Sequence, residues 1–168
     1  MARAGLRDLA TLPDPLIQHQ FDLMIPNVPG GGDGEGLQLR CQSTQLPGVS
    51  VETVTVALRG KELVYAGRQL FEKTLSVTFQ ETVDILVRNT MLNWLYFIVD
   101  ERENTGNTKA DYSTSATIQL YDESNSVIRT IKMFGVFPTE FAAVDLAGDS
   151  VGAVLPSATF SYDWFEDE

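Results

Sequence analysis

Hydrophobic and polar positions alternate over most of this chain, and the alternation predicts a protein built mainly from strands. Ile17, Phe21, Leu23 and Ile25 share one parity while Gln18, Gln20 and Asp22 share the other, which predicts a half-buried strand over residues 16–25. His19 falls on its inward parity. Leu37, Leu39 and Cys41 alternate with Gln38, Arg40 and Gln42 as a second strand, turned by Leu46-Pro47-Gly48. Val49 and Val51 lead into Val54, Val56 and Leu58, and the facing parity shifts near Glu52, which implies a bulge. Leu75, Val77 and Phe79 oppose Thr74, Ser76, Thr78 and Gln80 in a clean return strand. Residues 59–68 are too many for a tight turn, so residues 53–72 read as an extended arm with a loosely structured excursion. Such an arm cannot bury both faces within one small domain, and its natural fate is to pack on another protein.

Residues 1–15 read as an N-terminal arm ended by Pro13 and Pro15. Residues 26–36 read as a loop whose glycines at 30, 31, 32 and 34 form a flexible tip. After the return strand, Thr82 or Asp84 can cap a helix over residues 83–103. Its apolar stripe is Leu86 or Val87, Met91, Trp94 or Leu95, and Ile98, widened by Leu92, Tyr96, Phe97 and Val99. The last third is strand again. Ala116, Ile118 and Leu120 alternate with Thr117, Gln119 and Tyr121; residues 122–125 turn the chain, and residues 127–134 return. Residues 135–139, with Pro138 inside them, form a kink before a strand over residues 141–146, and residues 155–165 close the chain with Phe160, Tyr162 and Trp164 on one face. The expected fold is a single mainly β domain: a β-sandwich or rolled β-barrel with one flanking helix and a long protruding β-hairpin arm.

Composition changes this picture in one respect. At 168 residues with 43% hydrophobic and 21% charged positions the chain is ordinary for one globular domain, but its net charge of −11 is not. That field opposes wrapping of nucleic acid and docking on an anionic membrane, and it does not exclude a surface past which DNA slides without sticking. A lone cysteine excludes an intrachain disulfide and a Cys-rich metal framework.

Candidate chemistry is sparse. His19 is the single histidine, so a triad or histidine metal site would rest on it alone; a packed or subunit-contact histidine is the expectation. Cys41 on an apolar strand face behaves as a small hydrophobe. The glycine loop is followed by no Lys-Ser or Lys-Thr and opens no expected helix, so it fails the phosphate-loop tests. Asp33 and Glu35 lack the spacing of a calcium loop. The expectation is therefore no catalytic, cofactor or metal site. The tail Glu166-Asp167-Glu168 is either a solvated face or part of a charged ring around an enclosed space.

The ordered set of motifs resembles the tail tube proteins of contractile-tailed phages, related to the inner tubes of type VI secretion. The resemblance rests on Phe21-Asp22-Leu23-Met24-Ile25, the run Leu39 to Gly48 with its Leu-Pro-Gly turn, Arg59-Gly60-Lys61-Glu62 and Ala66-Gly67-Arg68-Gln69-Leu70-Phe71-Glu72. It continues through Leu75 to Phe79, a central helix with Trp94, Gly135-Val136-Phe137-Pro138-Thr139 and Phe160-Ser161-Tyr162-Asp163-Trp164. It implies hexameric rings that stack into a hollow tube, with the arm reaching the adjacent ring through Leu58, Arg59, Lys61, Glu62, Leu63, Val64, Tyr65 and Arg68. Implied partners are further copies of the chain, a sheath protein, and baseplate and tail terminator proteins. DNA passes without specific binding, in a virion assembled in the bacterial host cytoplasm. The acids that would face the lumen are not assigned. Alternatives are a tube-like baseplate or tail-initiator protein, the inner tube of an injection machine carrying protein, and a small β-barrel enzyme or ligand-binding module.

Overall fold

A computed structural model describes Leu6 and residues 10–168; most of the expected N-terminal arm, residues 1–5 and 7–9, lies outside the described residues. Eleven strands and three helices are present among the described residues. The main sheet runs in the order β1 (Phe21–Met24), β8 (Thr114–Tyr121), β9 (Val127–Phe141), β10 (Ser157–Ser161), β5 (Thr74–Phe79), β2 (Cys41–Thr44), with β11 (Trp164–Asp167) also paired to β9. All its pairings are antiparallel. The sheet rolls until its end strands β1 and β2 come close, yet they do not pair, so it is not closed into a barrel. The mainly β fold with one main helix is thus as expected.

β9 is the strand on which the roll turns. Its early residues pair with β8 and β11 and its later residues, from Phe137 on, with β10. The change of partner falls beside Gly135, whose φ of +68° is a left-handed conformation. A Cβ there would also lie 2.2 Å from Asp163 Oδ2, so the site needs glycine on both counts. The kink expected over residues 135–139 falls at its first residue, Gly135, and the strand continues through Phe141. Residues 142–155, where a further strand was expected from 141 to 146, form a long irregular segment instead.

Leu23, Leu75, Val77, Phe79, Ile118 and Phe160 are buried, as their parities predict, and Met133 of β9 joins them. Each large side chain buried in this way contributes about 1.5–3 kcal/mol relative to exposure. α2 (Leu86–Ile98) covers this core with Val87, Thr90, Met91 and Trp94. The Trp94 indole N–H donates to the Tyr112 carbonyl at 2.9 Å, and its ring packs 5.9 Å from Phe160. Tyr96 and Val99, expected to widen the stripe, are exposed.

Three expectations fail for identifiable reasons. Residues 37–40 are not strand but the end of α1 (Gly34–Arg40), since Asp33 caps it by accepting the Gly36 N–H at 3.0 Å. The glycine loop therefore does open a helix. α2 begins at Leu86 and ends at Ile98, shorter than the predicted 83–103. Thr82 and Asp84 both accept hydrogen bonds from the Arg40 guanidinium, at 2.9 Å each, and Asp84 also accepts from the Leu86 N–H at the start of the helix. Glu81 caps the next two, accepting the Val87 and Arg88 N–H groups at 3.1 and 2.9 Å. The helix ends early because β6 (Val99–Asp100) pairs with β7 (Thr105–Gly106). The expected polar loop beyond holds α3 (Lys109–Tyr112), whose Thr108 and Asp111 form a capping box. Finally, residues 155–165 break at Tyr162 and Asp163, so Phe160 and Tyr162 are buried while Trp164 is exposed.

Candidate functional site

β3 (Val49–Leu58) and β4 (Lys61–Phe71) pair only with each other and leave the main sheet between β2 and β5. Every residue of β3, and all of β4 but Phe71, is exposed. Ten residues at a strand's rise carry this hairpin roughly 30 Å from its root. At the root, Glu72 N–H donates to the Gly48 carbonyl at 3.3 Å, and Phe71 packs edge-on against Phe165 with ring centroids 5.5 Å apart.

The turn overturns one expectation. Residues 59–68 are not a loose excursion: Arg59 and Gly60, with φ of +51° and +75°, make a two-residue turn, and the chain re-enters strand at Lys61. Two consecutive positive φ values match the twist of a right-handed hairpin. The bulge expected near Glu52 is present, since the register shifts between Val51 and Thr53. Gly67 permits it, because a Cβ there would sit 2.9 Å from the Glu52 carbonyl oxygen. Arg68 closes the same spot with an exposed ion pair to Glu52 at 2.8 Å.

Register then sorts the predicted arm residues onto two faces. Val54 is opposite Tyr65, Val56 opposite Leu63, and Leu58 opposite Lys61. Directly opposed residues share a face, so Val54, Val56, Leu58, Leu63 and Tyr65 form one apolar stripe ending in Lys61. Glu62 and Val64 lie on the other face with Thr53, Thr55, Ala57 and Ala66. Arg59 sits in the turn. Val54 and Val56 read from sequence as strand positions but not as contact residues, and the pairing set by the turn at 59 and 60 puts both on the stripe. An exposed ladder with an apolar stripe is a surface for joining another protein.

The remaining candidates do not converge. His19 is exposed, not packed, and lines a groove of ≈ 630 Å³ with Leu16, Phe21, Cys41 and Leu120. Burial pushes the Cys41 thiol up to about 12, helped by the nearby Asp22 carboxylate, which is the opposite of an activated nucleophile. Burial also raises Tyr121, whose hydroxyl donates to Asp22 at 3.0 Å. No group of three or more His, Cys, Asp or Glu able to hold a metal exists among the described residues. Glu166 and Asp167 of the acidic tail end β11 and Glu168 follows it: Asp167 pairs with Arg129 at 2.6 Å and Glu168 with Lys132 at 2.9 Å. No helix among the described residues is long and apolar enough to cross a membrane.

A family model described as phage tail tube protein matches residues 14–167. Chains of known structure share the fold. One comes from the anti-feeding prophage cap, the AFP tube terminating cap, with TM-score 0.70 and 14% identity over 94% of this chain and 93% of that one. Another comes from the PVC sheath/tube terminator of an extracellular contractile injection system in the extended state, with TM-score 0.70 and 14% identity over 94% and 99%. A third comes from the PVC sheath-tube complex in the extended state, with TM-score 0.66 and 13% identity over 99% of both chains. No curated protein sequence matches the chain.

Proposed function

This chain belongs to the phage tail tube protein family, a family of structural proteins and not of enzymes, and from that premise we propose that it forms hexameric rings which stack into the hollow inner tube of a contractile tail. The observation that carries the reading is the hairpin. A stripe of five apolar side chains with no cover in the lone subunit finds cover when another copy seats against it. Each is about half exposed, so covering the remainder contributes roughly 1 kcal/mol apiece, or about 5 kcal/mol per arm. Six arms per ring make that a strong junction.

The unpaired edges of β1 and β2 supply the lateral junction. Edge strands left open invite pairing with a neighbour, and joining edges around a ring removes them. The work of the assembled tube is mechanical: a rigid conduit inside a sheath, joined to a baseplate and a terminator, through which the genome leaves the virion. A net charge of −11 per subunit, repeated around the bore, keeps a polyanion from adhering. Cytoplasmic assembly in a bacterial host is part of the same reading.

Electron microscopy of the purified chain across concentration and salt tests this reading. Stacked rings or hollow rods of uniform width are expected. Single rings that never stack would point to a tube-initiating baseplate role, and monomers that stay monomeric when baseplates are supplied would refute the tube.

A further inference from the structure

The hairpin leaves the sheet beside Thr74, the first residue of β5, while residues 142–155 enter β10 at Ser157, which pairs with Thr78 near the end of β5. The two segments therefore lie at opposite ends of the same strand pair. Opposite placement is what an open, head-to-tail contact between identical copies requires. The segment is unusual in its own right. It is longer than ordinary connections in compact domains and has no secondary structure. Leu146 and Val151 are almost fully exposed at 82% and 105%, and Leu155 is 42% exposed. The Val154 carbonyl accepts the Glu81 N–H at 2.9 Å, which places the segment beside Val83, itself fully exposed. A groove of ≈ 410 Å³ runs along it, lined by Val144, Leu146, Val154 and Leu155 among others.

Charge matches as well as polarity. Residues 142–155 contain Asp145 and Asp149 and no lysine or arginine. The hairpin tip carries Arg59 and Lys61 against one acid, Glu62, since Glu52 is already paired to Arg68. We propose that residues 142–155 are the receiving surface for the hairpin of another copy of this chain, with the apolar stripe on Leu146, Val151 and Leu155 and the cationic tip beside Asp145 and Asp149. The inference rests on the stacked-tube reading and names the surface that the arm engages.

Charge exchange tests it. Asp145→Lys with Asp149→Lys is expected to raise the concentration needed for rods by at least roughly tenfold, as is Arg59→Glu with Lys61→Glu. All four substitutions together are expected to restore assembly to within about threefold of the unmodified chain. Cross-linking gives an independent readout: in a Cys41→Ala background, Lys61→Cys with Asp145→Cys is expected to yield a ladder of covalent multimers when rods are oxidised. Rods that form normally with the lysine pair, gain nothing from the combination and give no ladder would overturn the receiving surface while leaving the tube intact. A chain that forms no rods even on baseplates removes the tube and this inference with it.

Discussion

At the residue scale the two faces of the hairpin differ in what a new charge does. Val56 opposes Leu63 on the apolar stripe, whereas Thr55 opposes Val64 on the other face. Val56→Asp places a carboxylate where, in the proposed tube, another copy excludes water, so the threshold concentration for rods should rise at least tenfold, a cost of about 1.4 kcal/mol or more. Thr55→Asp should change it by less than about threefold, and both variants should keep the parent's melting temperature because the arm is exposed. Equal effects on assembly from the two would refute the assignment of faces, as sedimentation against concentration would reveal. Cys41 carries a pH prediction. Its thiol ordinarily ionises near 9.0, and burial moves that to about 12 in the folded chain. Between these values the folded chain keeps a proton that the unfolded chain has lost, so stability falls as pH rises and is unaffected below 9.0. Denaturant melts of the parent and Cys41→Ala should therefore diverge only above pH 9, in the favour of alanine. A constant difference across that range would show that Cys41 is not held as a buried thiol.

At the element scale the hairpin should be separable from the body. Its exposed ladder contributes nothing to the core, and its root is fixed by Phe71 on Phe165 below the bulge. Excising residues 54–65 and joining Thr53 to Ala66 through Asn-Gly keeps a paired stem, since these two residues already face each other. The shortened chain should melt within a few degrees of the parent and form no rods; rods of normal length in micrographs would refute the role of the arm. Long-period features of this kind were legible from sequence. Parity named the buried sides of β5 and β8, the bulge at Glu52 and the existence of an arm. What escaped was set by single local contacts. Asp33 turned an apparent strand at Leu37 into a capped helix, Glu81 joined Asp84 in capping the main helix, and Arg59 adopted a left-handed conformation more usual for asparagine or glycine. The candidate arm residues all fall on the hairpin or its turn, but without that turn the register was unset, and Val54 and Val56 could not be placed beside Leu63 and Tyr65.

At the scale of the whole molecule two electrostatic effects of opposite sign act on assembly, and their magnitudes decide the outcome. Cationic Arg59 and Lys61 favour contact with a body of net charge −11, yet exposed ion pairs contribute only about 0–1 kcal/mol each. Repulsion between whole subunits acts over the Debye length, about 30 Å at 0.01 M salt and about 8 Å at 0.15 M. At low salt a subunit's charge therefore reaches across its neighbours, and at physiological salt it does not. The apolar stripe is insensitive to this change. Rods should thus form at lower protein concentration as salt rises from 0.01 to 0.15 M, followed by light scattering and checked by electron microscopy. A threshold that climbs with salt would mean that charge pairing, not apolar burial, holds the rings together. The tail narrows where the residual negative charge can reside. Asp167 and Glu168 are paired to Arg129 and Lys132, so in the proposed tube a negative bore would draw on acids other than these two.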